Sequence, residues 1–160
     1  MKNTSPTAIL LNVGHLMDHW VLAAFAYTWF QIAAAWGTQW TELTPYNFGA
    51  TFMFGTGSIL AGRLGDLWGR RIMMIIFFAG MGVSCLLIAV CSTPWQIGTA
   101  LTLMGAFASI YHPVGIPMLV QKAEKPGFTI GVNGVAGNMG IAIAAGGSVY
   151  LAETYGWQMA

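Results

Sequence analysis

The stretch that decides the fold is Gly62-Arg63-Leu64-Gly65-Asp66-Leu67-Trp68-Gly69-Arg70-Arg71, called the charged stretch below, between two long apolar runs. It holds three of the chain's six lysine and arginine residues and one of its five acidic residues. Because the flanking sequence is almost free of charge, we interpret the charged stretch as a point where the polypeptide leaves a membrane.

The composition supports this interpretation. Of the 160 residues, 56% are hydrophobic and 7% are charged, whereas a soluble domain carries roughly 25% charged residues. So few charges cannot cover a water-exposed surface. The net charge of +1 leaves no basic stripe that could neutralise phosphates, which argues against a nucleic-acid partner.

The positions of the charges predict five membrane crossings, since a crossing helix needs about 20 apolar residues. The charge-free runs are 19–41, 43–62, 72–121 and 126–152. The third is long enough for two crossings, with Ser92-Thr93-Pro94 as the turn. We therefore predict one all-α integral membrane bundle over 1–160, with helices near 7–34, 45–63, 71–92, 95–121 and 127–152.

Lysine and arginine prefer the cytoplasmic side of short connections. If the N-terminus is cytoplasmic, all six basic residues fall on that side: Lys2, Arg63, Arg70, Arg71, Lys122 and Lys125. Four tryptophans then lie at outer boundaries, as in an aromatic belt: Trp36, Trp40, Trp95 and Trp157. The sequence thus predicts a cytoplasmic N-terminus.

The charges of the charged stretch oppose the helix dipoles. Asp66 lies near the end of one predicted helix, while Arg70 and Arg71 lie at the start of the next. Asp66 could compensate by pairing with an arginine across the turn, or by facing the N-terminus of another helix. Three glycines permit close backbone approach and unusual dihedral angles: Gly62, Gly65 and Gly69.

The pattern Gly-x-x-x-Asp-x-x-Gly-Arg-Arg at 62–71, between the second and third crossings, resembles the signature of the major facilitator superfamily of secondary transporters. Tyr155-Gly156-Trp157-Gln158 is similar to the start of the sixth helix there. The stretches 110–115 and 131–140 resemble the fourth and fifth helices of one bacterial branch. The resemblance implies the first five helices, and the start of a sixth, of a twelve-helix fold in a bacterial inner membrane.

The resemblance also implies roles for the charged stretch. Asp66 would engage a helix of a second bundle, and with Arg70, Arg71 and the three glycines it would gate the conformational change. Family members carry two six-helix halves around a central cavity, and this sequence reaches only the start of the sixth helix. The antiporter signature, a proline after glycine in the fifth helix, is absent because Asn138 follows Gly137.

The first predicted helix carries Asn12, His15, Asp18 and His19, whose spacings of three and four place them on one side. Ionisable groups at membrane depth are costly, which makes them a functional hypothesis by default. Asp18, flanked by His15 and His19, could relay a proton because histidine titrates near neutrality.

Polar residues on two other helices complete the candidate pathway. In the fold implied by the resemblance, the first and fourth helices line the cavity, so we expect His112 to face the first-helix residues. Pro113 and Pro117 remove backbone donors and predict a bend beside His112. Asn133 and Asn138 of the fifth helix could contact substrate or bond across helices.

Other interpretations of the first-helix residues stay open. Asp18 could be hydrated and paired near the cytoplasmic side, with a structural role. His15, Asp18 and His19 could ligate a metal on one helix face, or two of the three histidines could ligate a haem. No companion motif supports metal or haem, and we predict neither.

The fifth helix also presents a small residue at every fourth position: Ala136, Gly140, Ala144, Ser148 and Ala152. Such a stripe lets another helix approach closely. The approaching helix could belong to this fold, to a second bundle, or to another membrane protein.

The sequence has no nucleotide-binding loop, nucleophile–base pair or catalytic carboxylate pair, so we predict that the protein is not an enzyme. The first hypothesis is the N-terminal part of a proton-coupled secondary transporter of a small solute, working by alternating access. The alternative is a truncated, non-transporting accessory subunit of a larger membrane complex, for example photosynthetic or respiratory. The predicted substrate or proton pathway is Asn12, His15, Asp18, His19, His112, Asn133 and Asn138.

Overall fold

A computed structural model describes residues 5–121 and 123–160. Within these ranges the chain forms long helices joined by short connections: α1 Pro6–Trp36, α2 Phe48–Trp68, α3 Arg70–Ala89, α4 Pro94–Val120 and α5 Pro126–Tyr155. Shorter helical turns are Trp40–Leu43, Thr44–Asn47 and Trp157–Met159. Lys2 and Lys122, two of the predicted cytoplasmic cations, lie outside the described residues.

Four of the helices in the described ranges are long and apolar enough to cross a membrane, namely α1, α3, α4 and α5. The helix α2 has 21 residues, which corresponds to roughly 30 Å and matches a bilayer core in length. It is nevertheless not one of these four. The all-helical membrane architecture is therefore confirmed, and the count of five crossings stays a prediction.

Local sequence signals set the helix ends. The Ser5 hydroxyl accepts from the Ala8 amide at 3.2 Å, and Gly37 closes α1 in the left-handed region with a φ of 66°. At the start of α4, the Thr93 hydroxyl accepts from the Gln96 amide while the Gln96 side chain accepts from the Thr93 amide. This capping box satisfies two backbone donors that would otherwise be unpaired.

The charged stretch is more helical than expected. The predicted helices end at 63 and restart at 71, whereas α2 continues to Trp68 and α3 begins at Arg70. Only Gly69 separates them, with a φ of 90° that favours glycine. The gating loop that the sequence predicts is therefore reduced to Gly69 alone. The residues before Gly69 belong to α2, because charged side chains do not prevent helical dihedral angles.

Glycines let the helices pack closely. The helix α1 packs mainly on α5, while α2 and α3 pack on α4. A methyl group at Gly140 of α5 would collide with the Leu16 carbonyl of α1, and one at Gly105 of α4 would collide with the backbone of Ala50 in α2. Both interfaces therefore depend on backbone-to-backbone approach.

The small-residue stripe of α5 faces inward. Gly140, Ala144, Ser148 and Ala152 are buried, and the Ser148 hydroxyl accepts from Trp20 Nε1 of α1 at 2.9 Å. The partner of this face is thus a helix of the same fold. The prediction that a second bundle or another membrane protein packs on the Ala136/Gly140/Ala144/Ser148 face is wrong, because α1 already covers it.

Two helices contain π turns, at Tyr111–Gly115 in α4 and at Ala144–Ser148 in α5. Pro113 lies inside the first of them, where the sequence predicts a bend. A π turn inside an α-helix frequently marks a functional site. The first π turn carries His112, which makes α4 irregular at the position of interest.

Candidate functional site

The site begins on the inward face of α1. Asp18 is completely buried and His15 is 6% exposed, while Asn12 and His19 are half-buried beside them. The four polar residues of α1 therefore lie on its inward side, as their spacings of three and four residues predict. Below, the polar cluster denotes His15, Asp18, His19 and His112.

All three histidines of the chain meet in the polar cluster. The ring centroids of His15 and His19 are 4.6 Å apart, and those of His15 and His112 are 5.1 Å apart. The ring centroids of His19 and His112 are 5.7 Å apart. The structure therefore brings His112 of α4 against the first-helix residues, as expected.

The orientation of His15 is fixed by two contacts. Its Nδ1 donates to the Asn133 carbonyl at 2.8 Å, since a carbonyl oxygen can only accept. Its ring stacks on Tyr111 with a centroid distance of 4.8 Å and an interplanar angle of 6°. In the neutral ring, Nε2 then carries a lone pair, and it has no hydrogen-bond partner in the described part of the chain.

A hydrogen-bond network beside the polar cluster joins three helices. The Tyr111 hydroxyl donates to the Leu11 carbonyl at 2.6 Å. Asn133 Nδ2 donates to the Tyr111 hydroxyl at 2.9 Å and to Asn12 Oδ1 at 2.8 Å. The sequence analysis missed Tyr111, although a hydroxyl next to His112 in an apolar helix is a detectable signal.

Asp18 is the unusual member of the polar cluster. Neither of its carboxylate oxygens has a hydrogen-bond partner in 5–121 and 123–160, and the same holds for Nε2 of His19. An ionised carboxylate is costly to bury without a partner. No described residue therefore pairs with Asp18, and whether its role is structural or functional stays a prediction.

A cavity of about 300 Å³ lies against His19, with Asn47, Thr51 and Phe54 in its wall. The Phe54 ring also contacts His112 at a centroid distance of 5.7 Å, so the cavity borders the polar cluster. A larger cavity of about 850 Å³ lies between α2 and α4 near Tyr46 and contains none of the predicted site residues. The smaller cavity is thus the relevant one.

The two asparagines of α5 do not lie together. Asn133 is buried in the network, whereas Asn138 is exposed on the outside of the bundle. Five residues at about 100° each turn the two side chains roughly 140° apart. The structure therefore brings only Asn133 to the polar cluster.

The charges of the charged stretch point away from the bundle. Asp66 is exposed and makes no ion pair with any residue that the structure describes. Arg71 is also exposed, while Arg70 donates to Gln121 Oε1 at 3.3 Å. Neither compensation predicted for Asp66, an arginine across the turn or a helix N-terminus, is seen among these residues.

Two glycines of the charged stretch, Gly62 and Gly65, face α4. A Cβ atom at Gly65 would be 3.0 Å from Val114 Cγ2, and one at Gly62 would be 3.4 Å from Pro113 Cβ. Both neighbours belong to the π turn that carries His112. The charged stretch is therefore in direct contact with the helix segment that completes the polar cluster.

Two curated proteins of Streptomyces are similar in sequence to this chain. The puromycin resistance protein pur8 of Streptomyces alboniger is 28% identical over 123 residues, which is 75% of this chain and 24% of that protein. The probable actinorhodin transporter of Streptomyces coelicolor (strain ATCC BAA-471 / A3(2) / M145) is 29% identical over 73 residues, 46% of this chain and 13% of that protein.

This chain thus spans about a quarter or less of the length of these curated relatives, and no solved structure matches it significantly. The model of the Major Facilitator Superfamily matches residues 8–160. The chain therefore belongs to the Major Facilitator Superfamily and is a multi-pass membrane protein of a transporter family rather than an enzyme.

Proposed function

We propose that the chain forms the N-terminal bundle of a proton-coupled secondary transporter of a small solute, working by alternating access. The observation that carries the proposal is that three imidazoles meet inside an apolar helical bundle, with the buried Asp18 next to His19 along α1. Family membership supports transport, and the polar cluster supplies groups that can carry protons.

Asp18 is the first proton carrier in this proposal. A carboxylate at membrane depth without a hydrogen-bond partner is far less costly when protonated. The imidazole of His19 is the next residue along α1, and Nε2 of His15 offers a free lone pair one turn away. With ring separations of 4.6–5.7 Å, the three histidines extend the path from Asp18 to α4.

The solute would bind in the cavity beside His19. Its volume of about 300 Å³ is at the lower end of the range for ligand pockets, which favours a small solute. Asn12 and Asn133 bond to each other at 2.8 Å at the edge of the polar cluster and would line the pathway. Asn138 would contact solute or a second bundle from the exposed side of α5.

Gating is assigned to the charged stretch. Exposed Asp66 and Arg71, with Arg70, would engage a second bundle in one conformation of the transport cycle. Gly65 touches Val114 in the π turn, so a displacement of α2 would reach the segment that holds His112. This contact would couple the gate to the polar cluster.

We further propose five crossings of a bacterial inner membrane with the N-terminus in the cytoplasm. The hydrogen bond from Arg70 to Gln121 supports this by joining the α2–α3 and α4–α5 connections at one end of the bundle. Aromatic pairs join the remaining connections, with centroids of Trp36 and Trp157 5.7 Å apart and those of Tyr46 and Trp95 5.3 Å apart.

The test uses the full-length gene product in proteoliposomes that contain a pH-sensitive dye. Puromycin is the first solute probe, because one relative is named for resistance to it, followed by small organic cations, amino acids and divalent metal salts. We expect at least one solute to drive a proton flux that Asp18→Asn abolishes. The matched control Glu153→Gln removes an exposed acid at the end of α5 and should leave the flux intact.

Two outcomes would contradict the proposal. One is the absence of solute-dependent proton flux for every probe, with the protein inserted and monodisperse. The other is an Asp18→Asn variant whose flux equals that of the wild type.

A further inference from the structure

We infer that His15, His19 and His112 form a binding site for one divalent transition-metal ion such as Zn²⁺ or Co²⁺. Binding of the ion is inferred from the geometry of the three imidazoles alone. Transport of the ion, which would make it the solute, rests in addition on the proposed function.

The ligand atoms are already close to the required positions. One ring nitrogen from each of His15, His19 and His112 lies within 4.8 Å of the others. Zinc–nitrogen bonds of about 2.0–2.1 Å place the ligands of a tetrahedral ion roughly 3.4 Å apart. Closing the longest gap requires about 1.4 Å of movement, which the half-buried rings of His19 and His112 can supply by side-chain rotation.

His15 is held as a metal-ligating histidine usually is. Such residues donate the other ring N–H to a carbonyl or carboxylate, which fixes the tautomer and the ring orientation. His15 Nδ1 donates to the Asn133 carbonyl at 2.8 Å, and the stacked Tyr111 ring holds its plane. Nε2 has no hydrogen-bond partner among the described residues and is therefore the ring nitrogen available to an ion.

Gly137 of α5 lies directly against the His15 ring. A Cβ atom there would be 2.7 Å from Cε1, 2.9 Å from Nδ1 and 3.0 Å from Nε2 of His15, so any larger residue would displace the ring. The support of His15 thus comes from two neighbouring helices: Tyr111 on α4, and Asn133 and Gly137 on α5.

The chemistry of the donors selects the ion. Imidazole ligands favour zinc, copper, nickel and iron, whereas magnesium and calcium favour oxygen ligands. In the described ranges this trio is the one group of three or more histidine, cysteine or acidic residues able to hold an ion.

The site also has an entry path and an open coordination position. The cavity of about 300 Å³ reaches His19, and three protein ligands leave a fourth position free, as in exchangeable sites. Metal binding requires neutral imidazoles and competes with protons for the same nitrogens.

The test titrates the full-length protein, purified through a histidine-free tag, with CoCl₂. We expect one Co²⁺ per chain and the visible absorption of a tetrahedral ion with nitrogen ligands. His19→Gln and His112→Gln should each weaken binding at least about tenfold. The control variants Cys85→Ser and Cys91→Ser remove the two free thiols of α3 and its C-terminal end and should bind like the wild type.

A second measurement does not depend on the folding of variants. Zn²⁺ should protect the wild-type histidines from carbethoxylation by diethyl pyrocarbonate, whereas Mg²⁺ should not. The inference is overturned if the wild type binds no Co²⁺, if folded histidine variants bind as tightly as the wild type, or if Zn²⁺ gives no protection.

Different results would contradict the metal site and the proposed function. Co²⁺ binding without proton flux for any solute would keep the site and overturn proton-coupled transport. Proton flux with another solute, together with no Co²⁺ binding, would keep the transport proposal and overturn the site.

Discussion

The polar cluster and the charged stretch place their polar groups in opposite settings. The polar cluster gathers residues from α1 and α4, nearly a hundred positions apart, and buries them completely or in part. The charged stretch is consecutive in sequence, and its Asp66 is exposed with no ion pair among the described residues. A motif of consecutive residues is easily recognised in the sequence, even when its side chains make few contacts within the bundle. A cluster of residues from distant helices is recognised only in the packed structure.

The two regions nevertheless touch. Gly65 and Gly62 of the charged stretch lie against Val114 and Pro113, the neighbours of His112 in the π turn. Because packed side chains transmit displacement through contact, the comparison can be tested by changing one region and measuring the other.

The largest contrast is expected between Asp18→Asn and Asp66→Asn in the proteoliposome assay. Asp18→Asn should reduce proton flux to the level of protein-free liposomes, because the buried proton carrier is gone. Asp66→Asn should slow solute turnover and leave the number of protons moved per solute unchanged, because the gate carries no proton. A changed proton-to-solute ratio in Asp66→Asn would erase the distinction between the regions.

A smaller effect is expected when a methyl group is added next to His15, at Gly137. The methyl group of Gly137→Ala would meet the His15 ring, and overpacking of this kind costs about 1–3 kcal/mol. We expect a lower unfolding midpoint in detergent and weaker Co²⁺ binding. Gly134→Ala is the matched control, since no atom lies within 4 Å of its added methyl group, and equal effects of the two changes would argue against the His15 geometry.

The hydrogen-bond network beside the polar cluster should contribute less. Tyr111→Phe removes the hydroxyl that donates to the Leu11 carbonyl and accepts from Asn133, at a cost of about 1–2 kcal/mol in unfolding free energy. Thermal unfolding in detergent measures it. Tyr46→Phe serves as the control, because the Tyr46 hydroxyl has no hydrogen-bond partner in the described residues, and it should leave the midpoint unchanged.

The smallest effect is expected in the charged stretch. Arg70→Gln removes one exposed hydrogen bond of 3.3 Å to Gln121, and contacts of this type contribute less than about 1 kcal/mol. The unfolding midpoint should move by no more than the error of the measurement. A shift as large as that of Tyr111→Phe would show that the charged stretch stabilises the bundle, contrary to this expectation.

Much of the fold follows from where the charges are absent. The charge-free runs locate the long helices to within a few residues, except that α2 extends to Trp68 rather than 63. Hydrophobicity marks where a chain can enter a membrane, and it does not mark where a helix ends after leaving it. The end of α2 is set instead by the backbone freedom of Gly69.

The candidate site was only partly predictable for a similar reason. Helical spacing places His15, Asp18 and His19 on one face, whereas Tyr111 enters the site only because α1, α4 and α5 approach closely. That approach depends on pairs such as Gly140 with the Leu16 carbonyl, which no pattern within a single helix reveals. The separation of Asn138 from Asn133, by contrast, follows from their spacing alone.

The π turns of α4 and α5 have a consequence for comparing this chain with its homologues. Each holds one residue more than a regular α-helical turn, so the side chains beyond it are rotated by about 100° relative to an uninterrupted helix. An alignment with a relative that lacks either π turn therefore needs a one-residue gap inside 111–115 or 144–148. A gapless alignment would assign Val149–Tyr155 to the wrong side of α5.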